Sequence, residues 1–111
     1  MSEVQDLVGT WRLLDWVAKD ASGDVIYPMG PDALGVICYT DEGFVHVHIM
    51  SAKRHRHAEL DTMAGTLEED SRSAKSHISY SGRWHLEGEK VIHEVDISSF
   101  PNWAPSRQER F

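Results

Sequence analysis

The sequence predicts a mostly β domain, an antiparallel sheet that curls toward a barrel, with one short helix set among its strands. Three observations lead there. Short apolar segments with a two-residue alternation recur along the chain. Turn-forming runs separate them, among them Asp20-Ala21-Ser22-Gly23-Asp24, Asp41-Glu42-Gly43 and Glu87-Gly88-Glu89. Only the segment opening at Thr66 carries a helix start. An open sheet of this size leaves exposed edges, and closure into a barrel removes them.

The elements follow in order. Residues 7–19 read as a long first strand, with Trp11, Leu13 and Val17 on one face and Leu14, Trp16 and Ala18 on the other. Val25-Ile26-Tyr27 is a short strand, which Pro28 and Pro31 interrupt because proline lacks the ladder donor. Residues 34–40 and 44–50 form the clearest hairpin, turning at Asp41-Glu42-Gly43. Residues 51–65 are polar and aperiodic, a long loop. Thr66-Leu67-Glu68-Glu69 is a capping box, and Leu67, Ala74 and Ile78 carry a thin apolar stripe to about Ile78. Residues 79–86 and 90–97 are two further strands. The loop at 99–105 holds Pro101 and Pro105, and 107–111 begins another strand.

Bulk properties narrow the function. The 111 residues fit one domain with a modest core. A formal charge of −7 argues against general binding to nucleic acid or anionic membrane. The basic run Lys53-Arg54-His55-Arg56-His57 reads as a solvated loop. Cys38 is the only cysteine, which excludes an intrachain disulfide and agrees with a reducing compartment. The first residues lack a basic and then apolar leader, and no apolar run reaches the roughly 20 residues that span a bilayer. A cytoplasmic protein is the expectation.

Several segments together resemble a known family. Leu7-Val8-Gly9-Thr10-Trp11-Arg12-Leu13 is similar to the opening Gly-Thr-Trp strand of the lipocalin-like domain proteins. Tyr27-Pro28-Met29-Gly30-Pro31-Asp32-Ala33, with Gly35, Ile37, Tyr39 and Thr40 after it, resembles their second block. Asp41-Glu42-Gly43-Phe44 and the strand behind it resemble the third. Tyr80-Ser81-Gly82 matches the strand after the family's helix, and His93-Glu94-Val95 leading to Ser99-Phe100-Pro101-Asn102-Trp103 matches its most distinctive segment. The resemblance covers nearly the whole chain, 1–111, as a single lipocalin-like domain. It implies a small antiparallel lipocalin-like β-barrel with an internal cavity. Related barrels carry hydrophobic ligands, and some act as cyclases or isomerases. Two departures stand out. The family usually has further strands after a segment like 107–111, so the barrel is expected to be incomplete there, or closed by a second copy in a homo-oligomer. It often has adjacent histidines where this chain has His93-Glu94.

Residue chemistry singles out a few positions. On residues 90–97, Val91, His93, Val95 and Ile97 share the more apolar face, so His93 is expected to point inward, as an acid–base group or as a satisfied core histidine. On Phe44–Met50, His46 and His48 share a face and could ligate a metal, but a third ligand is not evident. The all-apolar Val45, Val47 and Ile49 face is the better inward candidate. His55 and His57 repeat the spacing in a loop, where spacing carries no direction. Cys38 reads as a small buried hydrophobe. Trp11, Tyr39, Tyr80, Trp84, Phe100 and Trp103 are the remaining candidates to line an interior, Trp11 as a plug at the closed end and Trp103 at a cavity mouth. No cofactor is called for. Three functions stay open: binding a small, largely apolar or aromatic molecule, an isomerase or cyclase using His93, and a barrel filled by its own side chains.

Overall fold

The computed structural model describes residues 4–110. Its main element is a six-stranded antiparallel sheet. The strands are β1 (Gly9–Arg12), β4 (Leu34–Tyr39), β5 (Phe44–Met50), β6 (His77–Glu87), β7 (Lys90–Ser98) and β8 (Ser106–Arg110), in that spatial order. A separate two-stranded ribbon pairs β2 (Ala18–Lys19) with β3 (Val25–Ile26). A one-turn helix α1 (Val4–Leu7) precedes β1, α2 (Leu67–Lys75) precedes β6, and a 3-10 turn spans Pro101–Trp103. No described helix is long and apolar enough to cross a membrane.

Among the described residues β1 and β8 are the sheet edges and are not hydrogen-bonded to each other. The sheet is therefore curled but not closed. The radius of gyration agrees: it is 15.8 Å, against about 13 Å for a close-packed domain of this length.

Alternation sets which residues face in. Val45 and Val47 are buried while Phe44, His46 and His48 on the same strand are exposed. The core gathers Tyr39, Val45, Val47, Tyr80, Trp84, Val91 and Val95 from four neighbouring strands. Helix α2 buries no side chain. It holds the polar loop before it instead. The Thr66–Glu69 capping box is formed in both directions. Glu69 also accepts from the Ala58 N–H, His57 pairs with the Ser73 hydroxyl at 2.7 Å, and Arg54 donates to Ser76 and to the Ser73 carbonyl.

Two sequence expectations are corrected. The long first strand over 7–19 is broken. Leu7 closes α1, β1 ends at Arg12, and residues 13–17 lie outside any strand. Apolar residues alternate on both faces of that segment, and an edge strand can bury only one of them. The Leu13 N–H still bonds the Gly35 carbonyl. Beyond it the chain leaves the ladder.

The second correction concerns Ile97. The register slips between Ser81 and Gly82: Gly82 faces Val95, yet Ser81 faces Ile97. Asp96 is the extra residue of a β-bulge. The bulge turns Ile97 to the outer face, where it is 71% exposed, and brings Ser98 opposite Tyr80. Gly82 permits this, because a Cβ there would overlap the Glu94 carbonyl oxygen. Gly82→Ala is accordingly expected to destabilise the fold by about 1–3 kcal/mol, the usual range for an overpacked site, read as a lower urea midpoint. An unchanged midpoint would contradict this account of the bulge.

Candidate functional site

The centre of the inner face is His93, which has no exposed surface. Strand β7 aims it inward, between Trp84 on β6 and Gln108 on β8 in the register. Tyr39 of β4 reaches its Nε2 at 2.8 Å, and Tyr80 of β6 reaches its Nδ1 at 2.8 Å. Both ring nitrogens are thus engaged, by residues 54 and 13 positions away in the chain.

The charge state follows from the surroundings. Burial pushes the imidazole down from its ordinary 6.5 to about 4, and the nearby Arg110 guanidinium adds to the effect. Burial pushes Tyr39 up to about 12, helped by Tyr80 and opposed by Arg110, and burial raises Tyr80 as well. All three groups are neutral near pH 7. A neutral imidazole has one N–H and one lone pair. One tyrosine must therefore donate to the ring and the other accept from it. In either tautomer the accepting tyrosine keeps a hydroxyl hydrogen, and the donating one keeps free lone pairs. The group can offer a partner a donor or an acceptor.

A cavity of about 680 Å³ lies over this group. That is within the range of small-molecule sites, roughly 300–1,000 Å³. Every strand of the main sheet contributes to it. Its floor and walls are Val36, Ile37 and Tyr39 of β4, Val47 and Ile49 of β5, Ile78 and Tyr80 of β6, and His93 of β7. Arg12 comes from edge β1, and Gln108 and Arg110 from edge β8. Both edges of one sheet meeting one cavity is what a rolled sheet produces. The off-ladder segment supplies Leu13, Leu14 and Trp16, and Trp103 completes the wall.

Of the residues singled out by sequence, Tyr39, Tyr80, His93 and Trp103 come together here. Trp103 stands edge-on to Tyr80, with ring centroids 5.9 Å apart. Three others do not line the cavity. Trp84 is buried in the core, its indole N–H donating to the Thr40 carbonyl at 3.0 Å and its ring edge-on to Tyr39. Phe100 packs edge-on to Trp103, with ring centroids 5.7 Å apart, and is not among the residues that line the cavity. Trp11 is not a plug: it is 48% exposed, because β1 is an edge with no strand beyond it, and its indole donates to the Leu7 carbonyl.

The metal candidates point away from the cavity. His46 bonds the Ser81 hydroxyl on the outer face at 2.9 Å, and the His48 ring sits 5.9 Å from that of His77. Among the described residues no three His, Cys, Asp or Glu side chains are grouped to hold a metal. Cys38 is a free, partly buried thiol.

The residues missed by sequence reading were Val36, Ile37 and Ile78 on the strands, and Arg12, Leu13, Leu14, Trp16, Gln108 and Arg110 at the rim and edges. A signal existed for two of them. Ser106, Gln108 and Arg110 alternate with Arg107 and Glu109, so one face of β8 carries Gln108 and Arg110 together.

Comparison with known proteins bears on this arrangement. A family model described as the lipocalin-like domain matches residues 8–111. The chain is also similar to the 4'-hydroxy-3'-methoxypropiophenone carrier protein ppsC of Aspergillus oryzae, with 33% identity over 70 residues, 56% of this chain and 63% of that protein. The match thus spans less than two thirds of that relative's length. No solved structure matches the chain.

A buried histidine held neutral couples stability to pH. His93 binds its proton less tightly in the fold than in the unfolded chain, so the unfolded state takes up more protons between about pH 4 and 6.5. Its contribution is fully present above pH 6.5 and is lost as pH falls toward 4. The expected loss is on the order of 3 kcal/mol. Urea denaturation of the wild type and of His93→Gln across this window should show a steeper acid decline in the wild type. Parallel curves would sink the assignment.

Proposed function

This chain belongs to the lipocalin-like domain family, and on that footing we propose that it binds and carries a small aromatic molecule bearing a hydroxyl or carbonyl oxygen. The observation that carries the reading is the cavity itself: a largely apolar space of about 680 Å³ whose floor presents the Tyr39–His93–Tyr80 group. Apolar walls supply burial energy, and a few fixed polar groups set orientation. Trp16 and Trp103 offer flat faces for an aromatic ring. The similarity to a protein named as the carrier of a hydroxylated, methoxylated aryl ketone supports the same ligand class.

The neutral state of the Tyr–His–Tyr group favours binding over chemistry. Both imidazole nitrogens are already bonded, so a ligand meets the tyrosine hydroxyls rather than a free basic nitrogen. The hydroxyls suit a phenol, which can donate or accept, and a ketone, which accepts.

The test is a titration with 4-hydroxy-3-methoxyacetophenone, followed by tryptophan fluorescence. Saturable quenching with one equivalent is expected, with the compound recovered chemically unchanged. Val47→Arg, which fills the cavity floor, should abolish it. The double variant Tyr39→Phe, Tyr80→Phe should weaken it about tenfold, the equivalent of roughly 1.4 kcal/mol, with circular dichroism confirming the fold. Absence of saturable quenching across a panel of aryl ketones and phenols would defeat the proposal.

A further inference from the structure

The cations of the main sheet divide by location. Those on its outer face are matched to carboxylates, as is Arg72 on α2. Arg83 pairs with Asp96 at 3.1 Å, Arg107 with Glu87 at 2.7 Å, Lys90 with Glu109 at 3.3 Å and Arg72 with Glu68 at 3.7 Å. The two that line the cavity are not. Among the described residues neither Arg12 nor Arg110 has a carboxylate partner; Arg110 donates to the Glu109 backbone carbonyl at 3.1 Å and to the Tyr80 hydroxyl. Among the described residues no aspartate or glutamate lines the cavity, in a chain with 18 acidic residues and 11 basic ones.

We propose that the cavity takes its aromatic ligand as an oxyanion, a phenolate or a carboxylate, with Arg110 as its counter-ion and Arg12 adding positive charge from the opposite edge. The inference rests on the reading of this cavity as a ligand site. Arg110 is the last described residue of β8 and faces Val91 in the register, one inward position along from Gln108. Its charge acts on Tyr39, Tyr80 and His93 together, so it stands beside the polar floor. The titratable and charged groups facing that point are therefore Tyr39 from β4, Tyr80 from β6, His93 from β7 and Arg12 from β1. None of them supplies a negative charge near pH 7.

A half-buried guanidinium without a carboxylate is an incomplete pair. Low-dielectric walls strengthen its field, and arginine bonds anionic oxygen in forked geometry. An anionic ligand completes the pair and leaves the apolar walls for its ring. A tyrosine hydroxyl donating to the same oxygen adds a charge-assisted bond.

Two measurements test this on the whole chain. The first uses 4-nitrophenol, whose ionisation near neutral pH is read by absorbance. Bound to the protein, its apparent pKa is expected to fall by about one unit, a tenfold preference for the anion. Arg110→Gln should return it to the free value. The second compares cinnamate with cinnamamide, which share shape but not charge. Cinnamate should bind about tenfold tighter in the wild type, a ratio that needs no variant to be informative, and salt should erode the difference. A shifted phenol without a preference for cinnamate supports the proposal and restricts the ligand to phenolates. A preference for cinnamate with the phenol unshifted supports it and restricts the ligand to carboxylates. Equal binding of acid and amide with an unshifted phenol overturns it, and leaves the cavity as a neutral-ligand site. Binding of no aromatic compound overturns both readings together.

Discussion

An imidazole taken fully out of water must have both ring nitrogens satisfied, and here two tyrosines on other strands do it. Tyr39, His93 and Tyr80 meet across β4, β7 and β6, which requires the sheet to roll. A flat sheet would hold β4 and β7 three strand spacings apart, roughly 14 Å at the usual interstrand distance. The curl that forms this cluster also forms the cavity above it, and the rest of the architecture accommodates the curl. The bulge at Asp96 sharpens it, and Gly82 gives the bulge room.

The same geometry separates the two faces chemically. Outside, cross-strand ion pairs run between β6, β7 and β8, and Ile92 is buried between His85 and Glu109 in the register. Exposed pairs of this kind contribute little each, and their effect is mostly to keep that face solvated. Inside, among the described residues, the charges are few and of one sign. Stability resides in the apolar cluster around Val45, Val47 and Val95, while the polar centre sits at the cavity floor, where it can meet a ligand.

Much of this was legible from local pattern. The hairpin of β4 and β5, the inward Val45 and Val47, the outward His46 and His48, the inward His93 and the capping box at Thr66 all follow from periods or motifs a few residues long. Other features were not legible, each for a physical reason. Residues 13–17 are apolar on both faces, so alternation could not show that they leave the sheet. One inserted residue at the bulge reverses every assignment beyond it, which is why Ile97 read as inward. Trp11 has a core-type side chain, but its burial depends on a neighbour that an edge strand lacks.

The residue sequence alone was enough for the kind of fold, for its strand faces and for His93 as the residue to watch, because those depend on periodicity and on ordered motifs along one strand at a time. The meeting of His93 with Tyr39 and Tyr80, the place of Arg12 and Arg110 over the cavity, and the opening between β1 and β8 were decided only in three dimensions. Those features depend on which distant strands the curl brings together. No short-range pattern encodes that, since curvature is a property of the whole sheet and of where its bulge falls.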